Sequence, residues 1–183
     1  MKIGIIGAGQ LGQMLALAGF PFALRFRFLD SSPQAPGAQV APIVVGAFDD
    51  IRALRELADQ VDLVTYEFEN VPVAALAAVA KSRPCHPPVE ALRVSQDRLL
   101  EKELFGRLGI PTPTFRAVDS LADLRAAVVA IGLPCVLKTR RLGYDGRGQR
   151  YLRRPSDVEA AWQALGGAPL ILEGFVDFDR EVS

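Results

Sequence analysis

Apolar residues along this chain fall in short runs separated by amphipathic stretches, alternating between the period of a strand and that of a helix. KIGII at 2–6 predicts a buried strand, RFRFLD at 25–30 a second, IVVGA at 43–47 a short third and DLVTYE at 62–67 a fourth. Between them, residues 11–18 read as a helix. Residues 49–58 put Ile51, Leu54, Leu57 and Ala58 on one helical face, with Asp49 or Asp50 as N-cap. Residues 72–81 form an alanine-rich helix with Pro72 in its first turn. Strands alternating with helices predict a parallel sheet with right-handed crossovers. This unit closes near Pro87 and Pro88.

A second unit follows. Residues 95–108 predict one helix, stopped by Gly109 and Pro111. TFRAV at 114–118 and LPCVLKT at 133–139 read as strands flanking a helix over 120–131. A basic, glycine-rich loop at 140–148 leads to a returning strand, QRYLR. A helix over 155–165 and a strand, PLILEGFV, at 169–176 complete the pattern. The predicted division is 1–94 and 95–183. The last residues, DREVS, only begin a further strand, so the expectation is a portion of a longer protein.

With 183 residues, 50% of them hydrophobic, a substantial core is available. The 21 basic and 21 acidic side chains cancel, which argues against a nucleic-acid backbone as partner. No apolar run approaches the roughly 20 residues of a membrane span. The N-terminus enters a strand pattern without a basic leader, and Cys85 and Cys135 are too far apart in sequence for a metal or redox motif. The expected location is the cytoplasm. His86, the single histidine, lies beside prolines and reads as structural.

Two stretches carry candidate chemistry. Gly7, Gly9 and Gly12 are spaced G-x-G-x-x-G between a strand and a helix, where backbone amides can hold a phosphate. Asp30, 18 residues after Gly12, stands where a ribose-binding carboxylate would stand in a dinucleotide site. An NAD-dependent oxidoreductase and a plain tight turn are both compatible with this window. In the second unit, Lys138 ends an apolar strand and GYDGRGQ follows at 143–149. The lysine offers charge to a triphosphate, and Gly143, Gly146 and Gly148 let amides approach its oxygens, with Tyr144, Asp145, Arg147 and Gln149 interleaved. The loop lacks the Walker A pattern. Downstream, Glu173, Gly174, Phe175 and Val176 end an apolar strand where a connector would meet an adenine edge, and Glu181 would accept ribose hydroxyls.

GAGQLGQML, TYEFENVP, SQDRLLEKELFGRLGIPTP, LKTRRLGYDGRGQ and LILEGFVDFDREVS together resemble the ATP-grasp superfamily, and within it the N5-carboxyaminoimidazole ribonucleotide synthase family. The resemblance implies an α/β chain in which a Rossmann-like parallel-sheet domain precedes the start of an ATP-grasp domain. In that family the first turn serves a ribonucleotide, which places Gln10, Leu11 and Glu67 near substrate. It also implies that Arg98, Lys138 and residues 143–149 contact ATP, and that Glu173–Val176 and Glu181 hold adenine and ribose. Tyr144, Asp145 and Arg147 would line the reacting space as catalytic candidates. The implied reaction phosphorylates bicarbonate with MgATP to carboxyphosphate, then carboxylates the amine of 5-aminoimidazole ribonucleotide, releasing ADP and phosphate. No metal ligand is assigned among these residues, since the family's magnesium ligands lie in a C-terminal half. Residues 1–183 alone are therefore expected to be inactive, and a homodimer is implied. A formate-dependent glycinamide ribonucleotide formyltransferase shares the layout but has small serines where this chain has Tyr144 and Asp145. A non-catalytic nucleotide-binding module is a further alternative.

Overall fold

Four strands, β1 (Lys2–Ile6), β2 (Arg25–Asp30), β3 (Ile43–Val45) and β4 (Leu63–Tyr66), form a sheet in the order β3-β2-β1-β4, every pair parallel. The structure, a computed structural model, describes residues 1–143, 147–180 and 182. It separates into two units, Met1–Arg93 and Val94–Ser183.

In the first unit, helices α1 (Gln10–Gly19), α2 (Ile51–Asp59) and α3 (Val73–Val79) flank the sheet. Adjacent residues of one strand belong to different cores, as the pleat requires. Ile5 packs with Phe28 and Ala16, whereas Ile6 packs with Leu29, Leu54, Leu57 and Leu76. A parallel sheet covered on both faces puts its ligand-facing edge at the C-terminal strand ends. Asp50 caps α2 by accepting the amides of Arg52 and Ala53. Two expectations need correction. β3 stops at Val45, and the next amide, Gly46, donates to the Asp30 carbonyl. Pro72 is the N-cap of α3, outside its first turn.

The second unit is built on an antiparallel sheet of β5 (Phe115–Val118), β6 (Cys135–Thr139), β7 (Gln149–Leu152) and β8 (Leu170–Gly174), in the order β5-β8-β6-β7. Helices α6 (Leu121–Ile131) and α7 (Asp157–Leu165) supply Leu124, Ala127, Val128, Val158 and Ala161 to a core with Val118, Cys135, Leu137, Leu152, Leu170 and Leu172. The single helix expected over 95–108 is two: α4 (Val89–Ser95) and α5 (Arg98–Arg107). The break falls at Gln96 and Asp97 because Asp97 is extended, at φ −128° and ψ 111°, and caps α5 through the Leu99 amide. Among the described residues, no helix is long and apolar enough to cross a membrane.

Candidate functional site

The glycine turn after β1 is closed by two carboxylates. Gly7 leaves the strand at φ +99°, a conformation that favours glycine. The Ala8 amide donates to Asp30 Oδ2 at 2.9 Å, and the Gly9 amide donates to Glu67 Oε1 at 3.0 Å. The other oxygen of Asp30 accepts the Ser32 amide at 2.9 Å. Asp30 is thus spent on the turn itself, which counts against its reading as a ribose ligand. A pyrophosphate at the same amides would have to displace the Asp30 and Glu67 carboxylates, which counts against the dinucleotide reading. Glu67 follows β4, half-buried. Gln10 opens α1 beside the turn and is exposed, as is Leu11 at 60%. The three proposed ribonucleotide contacts therefore surround one turn at the C-terminal ends of β1 and β4.

In the second unit the register sorts the candidates. Directly opposed residues of an antiparallel pair share a face. Lys138 opposes Gln149 and Ile171, and Val136 opposes Glu173 and Tyr151. Lys138, Gln149 and Glu173 consequently lie together on the face opposite the α6 and α7 core. Glu173 is 5% exposed, and its Oε2 accepts Lys138 Nζ at 3.0 Å. The same oxygen stands 3.4 Å from Lys102 Nζ of α5. The amides of Gly174 and Phe175 donate to the carbonyls of Thr114 and Pro134. Phe175 and Val176 are both exposed, and Phe175 meets Tyr151 edge-on, ring centroids 6.2 Å apart.

The loop after β6 is anchored from α5. Arg98, the first residue of that helix, donates through Nη2 to the Gly143 carbonyl at 2.5 Å, and its amide donates to the Arg140 carbonyl. Arg140 makes a two-pronged bridge to Asp97, Nε to Oδ1 at 2.9 Å and Nη2 to Oδ2 at 2.6 Å. Burial alone would raise the Asp97 pKa. The Arg140 hydrogen bonds, the Leu99 amide and the Arg140 charge together hold the carboxyl below its usual range. Arg141 donates to the Gln96 side chain. At the far end of the loop Gly148, at φ +72°, accepts the Thr139 amide, and a Cβ there would lie 2.5 Å from Thr139 Oγ1. Arg147 is exposed. Tyr144, Asp145, Gly146 and Glu181 lie outside the described residues.

Sequence reasoning missed Lys102, Asp97 and Arg140. Lys102 was findable, being four residues after Arg98 and so on the same helix face. A cavity of about 640 Å³ opens elsewhere, at the N-terminal ends of β1 and β2, and contains none of the candidates. Its Lys2, Arg25 and Arg27 stand beside the C-terminus of α2, whose carbonyls favour cations and disfavour an anionic ligand. Among the described residues, no group of three histidine, cysteine or carboxylate side chains could hold a metal ion.

A parallel sheet with a glycine turn at its C-terminal strand ends, followed by an antiparallel sheet with a lysine and a carboxylate on one face, defines an α/β protein of the ATP-grasp type. Residues 1–96 match the ribonucleotide synthetase preATP-grasp domain and residues 103–183 the ATP-grasp domain, and the chain belongs to this family. It is 55% identical to N5-carboxyaminoimidazole ribonucleotide synthase of Pseudomonas aeruginosa over 183 residues, 100% of this chain and 51% of that protein. The crystal structure of N5-carboxyaminoimidazole ribonucleotide synthetase from Thermus thermophilus superposes with TM-score 0.90 at 53% identity, over 97% of this chain and 48% of that one. The Aspergillus clavatus synthase in complex with ADP and 5-aminoimidazole ribonucleotide gives TM-score 0.87 at 31% identity, over 97% and 47% of the two chains. The chain spans about half the length of the curated relatives it matches and corresponds to the N-terminal portion of N5-carboxyaminoimidazole ribonucleotide synthases.

Proposed function

We propose that the protein to which this chain belongs carboxylates 5-aminoimidazole ribonucleotide with bicarbonate, consuming MgATP and releasing ADP and phosphate, in purine biosynthesis. The observation that carries this proposal is the convergence of Lys138, Gln149 and Glu173 on one sheet face, with Arg98 holding the adjoining loop. Residues 1–94 bind the ribonucleotide through Gln10, Leu11 and Glu67. Residues 95–183 begin the ATP-grasp domain. Lys138 Nζ and Arg98 neutralise phosphate charge, while Gly143, Arg147, Gly148 and Gln149 cover the phosphates together with Tyr144, Asp145 and Gly146. Glu173 and the 174–176 connector receive adenine, and Glu181 its ribose. Tyr144, Asp145 and Arg147 are the catalytic candidates of this reading. Transfer of a phosphoryl group to bicarbonate needs charge neutralisation and exclusion of water more than a protein nucleophile, which suits a lysine, two arginines and a covering loop. The enzyme acts in the cytoplasm as a homodimer.

In the full-length protein, Lys138→Met keeps the bulk and removes the charge. MgATP binding, measured by calorimetry, is expected to weaken by about 1.5–3 kcal/mol, the scale of one charged hydrogen bond. Unchanged affinity would remove Lys138 from the nucleotide site. The sedimentation coefficient of the full-length protein tests the dimer.

A further inference from the structure

Lys102 and Lys138 reach the same buried oxygen. Glu173 Oε2 lies 3.0 Å from Lys138 Nζ and 3.4 Å from Lys102 Nζ, with side-chain exposures of 6% for the glutamate, 25% for Lys138 and 14% for Lys102. A carboxylate so buried needs a cation beside it, and one lysine suffices to neutralise it. The second lysine leaves the cluster with an excess positive charge, and Lys138 is the more exposed of the two. It also removes a conflict. If Lys138 were the sole partner of Glu173, turning its ammonium toward a phosphate would strand a buried anion. With Lys102 in place, Glu173 stays paired while Lys138 turns away. Lys102 and Arg98 are one helical turn apart on α5, so a single helix face supports both the carboxylate and the phosphate loop.

We infer that Lys102 is a positioning residue of the nucleotide site, the standing counterion of Glu173 that frees Lys138 for the phosphates of ATP. This role rests on the nucleotide site proposed above. Lys102 acts through Glu173 and touches no phosphate itself.

The test is a set of binding titrations on the full-length protein with MgATP and, separately, with adenosine, which has no phosphates. Lys102→Met is expected to weaken MgATP binding about tenfold or more and to leave adenosine binding nearly unchanged. Lys102→Arg is expected to restore most of the affinity. In a Glu173→Gln background, where no buried charge needs a counterion, Lys102→Met is expected to cost less than about threefold in MgATP affinity, the non-additivity of residues that act as a unit. Lys102→Gln replaces Lys102→Met should the latter not fold, with the thermal midpoint recorded for each variant. The role is overturned if Lys102→Met binds MgATP like the parent, if its loss is undiminished in the Glu173→Gln background, or if adenosine is lost equally. Lys138→Met separates the two levels. If it leaves MgATP binding unchanged, the nucleotide site itself is misassigned. If it weakens MgATP binding while Lys102→Met does not, only the counterion role fails.

Discussion

Glu67 Oε1 accepts the amide of Gly9 at 3.0 Å across 58 residues of sequence, tying the end of β4 to the turn after β1. Gly7 and Gly9 have no room for a side chain because the Glu67 carboxylate lies over them. A Cβ on Gly9 would stand 2.9 Å from Glu67 Oε1, and one on Gly7 would stand 2.8 Å from the same atom.

The two positions should respond differently to alanine. Gly9 has φ −67°, where any residue is comfortable, so Gly9→Ala suffers from the contact with Glu67 alone. It is expected to lose about 1 kcal/mol in urea unfolding, the scale of the hydrogen bond that Glu67 gives up when its carboxylate shifts, and the loss should largely vanish in a Glu67→Ala background. Gly7→Ala also pays for φ +99°, and its loss should persist in the Glu67→Ala background. Equal rescue of both variants would contradict this account of the turn.

Gln10 opens α1 beside the same turn and is exposed. In the full-length protein, Gln10→Ala is expected to raise KM for 5-aminoimidazole ribonucleotide several-fold while leaving KM for ATP nearly unchanged. Initial rates at varied concentrations of each substrate measure both. A matching rise for ATP would place Gln10 outside the ribonucleotide site.

Asp97 makes the second unit sensitive to acid. Its carboxyl is held below the usual range in the folded chain, so the folded state takes up its proton less readily than the unfolded state. Its stabilisation is complete above the unfolded value of about pH 4 and is lost as pH falls through the folded value. Asp97→Asn is expected to lower stability at neutral pH and to make the decline below about pH 4 shallower. Denaturant midpoints measured across that range test it. A variant with the parent's acid profile would show that Asp97 carries no linked proton.

Much of the first unit was legible because its devices are local. The alternation of RFRFLD, the spacing of Leu54 and Leu57 and the capping Asp50 each lie within one element. The glycine spacing marked the turn correctly, but the occupants of its amides, Asp30 and Glu67, come from two other strand ends. The same limit hid the break before α5. Residues 95–108 have a helical pattern, and the break lies in the extended backbone of Asp97, which caps α5 through the Leu99 amide and is bridged by Arg140, 43 residues away. Lys138 and Glu173 were both found in the sequence, but as separate strand ends. Their shared face follows from β6–β8 pairing, a register that neither strand encodes by itself. Lys102 was passed over because a lysine on an amphipathic helix ordinarily reads as solvated.

Residues 1–183 by themselves are expected to release no ADP in response to 5-aminoimidazole ribonucleotide and bicarbonate, since they span 51% of the Pseudomonas aeruginosa synthase and, among those described, gather no metal-holding cluster. A coupled assay for ADP on the purified, mass-verified chain tests this. Sustained turnover would mean that these residues hold a complete catalytic centre.

ADP release from the full-length protein with MgATP, bicarbonate and 5-aminoimidazole ribonucleotide, each omitted in turn, measures the proposed reaction itself. The expected result is ADP formation that requires the ribonucleotide and bicarbonate together, with Lys138→Met strongly impaired. ADP formation that ignores bicarbonate, or that instead requires formate and glycinamide ribonucleotide, would contradict the assignment.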